Sequence, residues 1–155
     1  MSLEVIIGNH QESTAIPENW LTALEDVAAE AADLALARAV DGDSPLHHLA
    51  TLEVALVDDE TSDRVHREFM DIEGPTDVIT FHHGEIVIGA AVAERQAAAY
   101  DEPLAREILR YLVHGLLHLA GHEDAEPAAR EAMEAVQEEI VARLWNGGLQ
   151  ERLGM

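Results

Sequence analysis

A chain of 155 residues that is 48% hydrophobic is long enough to close one domain around a real core. It has no cysteine, which excludes disulfide partners and thiolate metal sites, and no apolar run near the ~20 residues that cross a bilayer, so a cytoplasmic protein is expected. The net charge of −22 sets 31 acidic residues against 9 basic ones, all arginine; such a chain repels nucleic acid at long range unless a local arginine-lined groove offsets the field.

The first element is a short strand over LEVIIG (3–8). From Pro17 the apolar residues Trp20, Leu21, Leu24, Val27, Ala28, Ala31, Leu34 and Ala35 recur at intervals of three and four, the spacing of one helix face. Proline suits the first turn of such a helix. LEVALV (52–57) predicts a second strand, and DDETSDRVHREFMDIEG (58–74) opens on capping residues and predicts a helix ending near Gly74. TDVITF (76–81) and GEIVIG (84–89) are β-branched runs separated by little more than His82 and His83, the pattern of a hairpin. Helices follow over 90–100, from Pro103 to Ala120 with Gly121 as the stop, and over 126–144. Met133 keeps helical register with Val136 and Ile140 and reads as core. Residues 146–155 read as a frayed tail of one domain spanning 1–155. The mixture predicts an α+β fold, a small mixed sheet packed with about five helices.

The stretch HGLLHLAGHED (114–124) carries the chemistry. His114 and His118 stand four apart on a predicted helix, a rise of ~6 Å and a turn of ~400°, so both rings leave one face and can converge on one ion. Neutral imidazoles suit zinc, nickel, copper or iron. Unpartnered imidazoles would be costly in so apolar a segment as YLVHGLLHLA. An unbroken helix would carry His122 ~12 Å from His114, too far for a shared ion, so the helix must end first. Past Gly121, His122, Glu123 and Asp124 are all within reach, and spacing does not choose among them.

These residues resemble the signature of the YbeY family, metal-dependent endoribonucleases of bacteria. That signature runs His-Gly-x-Leu-His-Leu-x-Gly, then two residues and a third His or Asp. GPTDVITF (74–81) is similar to the family's Pro-Thr-Asp-Val-Leu-Ser-Phe segment, and GEIVIG to its Gly-Asp-Ile-x-Ile. AMEAVQEEIVARL (132–144) fits its last helix, and order and spacing agree over 50–144. The resemblance implies a zincin-like metal helix with His114, His118 and Asp124 on one zinc ion, nickel being an alternative. It implies hydrolysis of RNA, with small-subunit ribosomal RNA precursor and the ribosome as partners, in 3′-end maturation and ribosome quality control.

Two departures shape what is expected of the site. Zinc proteases carry a general-base glutamate after the first histidine, where this chain has Gly115, so Asp77, Glu85 and Glu123 become the candidate bases. The family's Asn and Tyr-Arg pair are replaced by His66, Phe69 and Met70, leaving Arg64 and Arg67 on the same helix as candidate substrate-binding residues. The missing arginine keeps two other readings open, a metal hydrolase with a non-RNA substrate and a non-catalytic ribosome-associated module braced by a metal.

Overall fold

The computed structural model describes residues 3–155. The elements run β1 (Glu4–Asn9), α1 (Glu18–Ala37), β2 (Thr51–Val57), α2 (Asp59–Met70), β3 (Val78–Phe81), β4 (Glu85–Gly89), α3 (Ala90–Ala99), α4 (Leu104–Leu119) and α5 (Pro127–Leu144). A 3₁₀ turn at Pro45–His48 and a last helical turn, α6 (Gln150–Arg152), complete them. The sheet order is β1-β2-β4-β3, with β1, β2 and β4 parallel and β3 antiparallel to β4. The predicted α+β fold with a small mixed sheet and five long helices is what forms. Among the described residues no helix is long and apolar enough to cross a membrane.

Alternation along the strands sorts the sheet's two faces. Leu52, Val54 and Leu56 of β2 join Ile86 and Ile88 of β4 in the main core with α1, α4 and α5. Val57, Ile79 and Val87 form a smaller cluster on the other face, backed by Val65 of α2 and by Phe81. The β3–β4 hairpin turns at Gly84, whose N–H donates to the Phe81 carbonyl (3.0 Å) at φ +109°. A side chain there would be strained, and its Cβ would stand 2.9 Å from the Thr51 carbonyl.

Helix α4 is the centre of the molecule. It packs on α1, α3, α5 and the β3–β4 hairpin, and Leu109, Leu112, Leu116, Leu117 and Leu119 are fully buried. Beyond Leu104 only Arg106, Arg110, His114 and His118 of α4 remain half-open, a stripe at intervals of four along one edge. Gly115 lets that edge sit close to the sheet. A Cβ there would lie 2.7 Å from Ile86 Cδ1 and 3.1 Å from Thr80 Oγ1, so any side chain at this position would have to displace the Ile86 tip.

Two expectations need correction. Helix α2 ends at Met70, not near Gly74, because Asp71 turns left-handed (φ 56°). The following loop is pinned back onto α2: Gly74 N–H donates to Asp63 Oδ1 (2.7 Å), and the His66 ring bonds the Gly74 carbonyl (2.9 Å). Buried Ser62 accepts from Thr76 N–H (2.9 Å) and donates to its carbonyl (3.0 Å). Nor do residues 146–155 fray. Gly148, at φ +119°, bends the chain so that Leu149 and Leu153, four apart, join Trp145 in the main core. The Gly-Gly pair serves as a bend, not as the end of order.

Candidate metal centre

The end of α4 builds the site. Gly121 takes φ +96°, its N–H donating to the His118 carbonyl (3.0 Å), and His122 N–H reaches back to the Leu117 carbonyl (3.0 Å). This pair of bonds is the Schellman arrangement, which stops a helix and reverses the chain at a glycine. The reversal carries Asp124 back over the two histidines.

His114 Nε2 and His118 Nε2 lie 3.0 Å apart, and Asp124 Oδ2 lies 3.3 Å and 3.5 Å from them. Among the described residues this is the group whose ligand atoms lie close enough together to hold a metal ion. A tetrahedral ion bonded at ~2.0–2.1 Å sets its ligand atoms ~3.3–3.4 Å apart, so the triangle has the right size for zinc or a similar cation.

The hydrogen bonds fix which ring atoms face inward. His114 Nδ1 meets Gln137 Oε1 at 2.8 Å, and His118 Nδ1 meets the His122 carbonyl at 3.0 Å. Both partners only accept, so each ring carries its proton on Nδ1 and turns a bare Nε2 toward the other. The Gln137 amide is oriented in turn by its Nε2, which donates to Glu138 Oε2 (3.1 Å), and Arg110 clamps that carboxylate at 2.8 and 2.9 Å. Burial first, then the neighbouring His114, pushes the His118 imidazole below its usual pKa, so it is neutral at pH 7. Two lone pairs and a carboxylate oxygen thus face one another at contact distance, a set of three acceptors that a cation satisfies.

The centre opens into a cleft of about 500 Å³. One wall is His66 and Met70 of α2, another runs from Thr76 to Thr80, and α5 supplies Arg130, Met133 and Glu134. Met133 is core, as its register predicts, and also floors the cleft.

The remaining sequence candidates divide. Asp77 lines the cleft, its Oδ1 accepting from Val78 N–H (2.7 Å). Glu85 does not line it; it faces His83 (3.3 Å) on the hairpin. Glu123 lies on a different groove with Val40 and Asp41. His122, the third histidine of the motif, points its ring at the Arg38 carbonyl (2.8 Å). Arg64 and Arg67 stand outside the cleft, and Arg67 pairs with Asp63 (3.1 Å) one turn back. His66 and Met70, four apart, face the cleft; Arg64 is turned ~120° or more from both, and Arg67 is held aside by its pair with Asp63.

Sequence reasoning passed over Gln137, Glu134 and Arg130. Their spacing of four and three puts all three on one face of α5, and a polar stripe on a helix predicted to pack beside the histidines was the available signal.

Fold and site together define an α+β protein with a centre able to hold a divalent metal at the floor of an open cleft. The sequence profile described as Endoribonuclease YbeY matches residues 6–145. Endoribonuclease YbeY of Cutibacterium acnes is 36% identical over 114 residues, covering 63% of this chain and 74% of that protein. The protein of the same name from Moorella thermoacetica is 32% identical over 159 aligned positions, covering 90% of this chain and 96% of its own. A Thermotoga maritima protein solved in solution shares the fold, with a TM-score of 0.64 and 24% identity over 95% of this chain and 93% of its own. The chain belongs to the endoribonuclease YbeY family.

Proposed function

We propose that this protein is a metal-dependent endoribonuclease that cuts single-stranded RNA, with small-subunit ribosomal RNA precursor as its substrate at the ribosome in the cytoplasm. The observation that carries the reading is the triangle of His114, His118 and Asp124 acceptors, 3.0–3.5 Å on a side, at the floor of an open cleft in a YbeY-family chain. The ribosomal substrate rests on the family motifs alone.

These three residues would hold one zinc ion, and their donor set suits nickel as well. The bound ion supplies Lewis acidity toward a phosphodiester and lowers the pKa of water beside it. The chain's own residues do the rest. Gln137 and the His122 carbonyl keep both imidazoles in the Nδ1–H form. A carboxylate third ligand leaves the centre less positive than three imidazoles would, so a base is needed nearby. Asp77 and Glu134, both on the cleft, are the carboxylates placed to take a proton from the attacking water. Gly115 has no side chain to act as the base, and it packs closely on Ile86.

The test is cleavage of a labelled single-stranded RNA by zinc- and nickel-loaded protein. Wild type should cut and His114→Ala should not. Failure of wild type with every metal, or equal cleavage by the variant, would reject the assignment.

A further inference from the structure

We propose that Arg130 is the residue through which the cleft grips a substrate phosphate, an inference that rests on the nuclease reading above. The chain has 9 basic residues, all arginine. Arg38, Arg67, Arg95, Arg110 and Arg152 are spent in ion pairs with carboxylates. Of the other four, only Arg130 lines the metal cleft among the described residues.

Its geometry suits the role. Arg130 Nε–H donates to the backbone carbonyl of Asp124 (3.1 Å), which ties the guanidinium to the residue whose carboxylate faces the histidines. That bond uses Nε alone. Among the described residues the two terminal nitrogens have no hydrogen-bond partner, and no carboxylate lies within 4.0 Å, Glu134 one turn along the helix included. A tethered guanidinium with its terminal N–H groups open is the fork that takes two phosphate oxygens side by side. A cation in the first turn of α5 stands at the end of the helix where the dipole disfavours positive charge.

Charge gives the residue its weight. Asp77, Asp124 and Glu134 share the cleft. A divalent ion offsets two of these charges and Arg130 the third, so the loaded cleft is close to neutral only while the arginine is present. With a chain at −22 the long-range field repels RNA, and a short-range donor must do what a basic groove does elsewhere.

The experiment compares zinc-loaded wild type, Arg130→Gln and Arg130→Lys. Two probes are titrated, inorganic phosphate and a short single-stranded 2′-O-methyl RNA, the latter across a salt series. Arg130→Gln should weaken both by about tenfold to a hundredfold, the loss of a hydrogen bond to a charged group. Its log K against log salt slope should be shallower by about 0.7, one phosphate contact on a single strand. Arg130→Gln should still bind zinc, because His114, His118 and Asp124 all remain, and Arg130→Lys should recover part of the loss of probe binding. Equal binding of both probes by wild type and Arg130→Gln, or no phosphate binding by loaded wild type, would overturn the proposal. Arg130-dependent phosphate binding in a protein that cuts no RNA would leave the clamp standing and remove the nuclease reading instead.

Discussion

Replacing Gln137 by leucine isolates what the outer hydrogen bonds contribute to the centre. Gln137 is 7% exposed, and its Oε1 accepts the His114 Nδ1 proton at 2.8 Å. Leucine has nearly the same volume and no acceptor, so Nδ1–H loses its partner in a half-buried place. The ring's escape is to move the proton to Nε2, where it can donate to His118 Nε2 at 3.0 Å or to Asp124 at 3.3 Å. That tautomer is satisfied without metal and cannot bind it until the proton leaves. Losing an outer partner of this kind costs about 10–100-fold in metal affinity, or ~1.4–2.8 kcal/mol. Competition against a chromophoric zinc chelator near neutral pH measures it directly. Gln137→Glu keeps the acceptor, though not the Nε2 donor to Glu138, and should stay nearer wild type. If folded Gln137→Leu binds zinc within twofold of wild type, the tautomer argument fails.

Other consequences are measurable on the unloaded protein. Leu149 is 1% exposed in the bent C-terminal segment, so Leu149→Ala should cost ~2–5 kcal/mol in a denaturant melt, whereas a frayed tail would cost nothing. Burial favours the neutral acid at Glu138, but hydrogen bonds from Arg110 and Gln137 outweigh it and hold its carboxyl below the usual range. A depressed carboxyl stabilises the fold above its unfolded pKa and loses that contribution as pH falls through the folded one. Glu138→Gln should therefore be less stable near pH 7 by about 1 kcal/mol, a figure discounted because the side chain is 47% exposed, with the gap closing below about pH 4. Added salt should raise Tm, since screening lengths fall from ~30 Å at 0.01 M to ~3 Å at 1 M and the −22 self-repulsion weakens. A Tm that falls steadily with salt would contradict that.

The long elements were legible because their signals are periodic. The faces of α1 and α4 and the paired runs of β3 and β4 all form where their spacing predicts them. Gly121 stops α4 as its position suggests, and the His114–His118 pair follows from helical phase alone. What failed to show was set by single residues with local chemistry. Asp71 ends α2 early through a left-handed turn that asparagine and aspartate tolerate, which no apolar pattern encodes. The C-terminal bend depends on Leu149 and Leu153 finding the core, a tertiary fact. Within the site, Arg64 and Arg67 are near Met70 in sequence yet outside the cleft, Arg67 drawn back to Asp63, while Arg130, Glu134 and Gln137 are distant in sequence and reach the site because α5 packs on α4. Spacing within one element was readable, and the meeting of two elements was not.

Metal binding at His114, His118 and Asp124 and RNA cleavage should be lost together in one time course, run on a single-stranded RNA carrying the 3′ end of small-subunit ribosomal RNA with zinc-loaded wild type, His118→Ala and His122→Ala. Wild type and His122→Ala should both cut, because the His122 ring faces the Arg38 carbonyl and only its backbone carbonyl meets the site. His118→Ala should not. Cleavage that survives in His118→Ala, or an intact substrate with loaded wild type, would separate RNA cleavage from this centre.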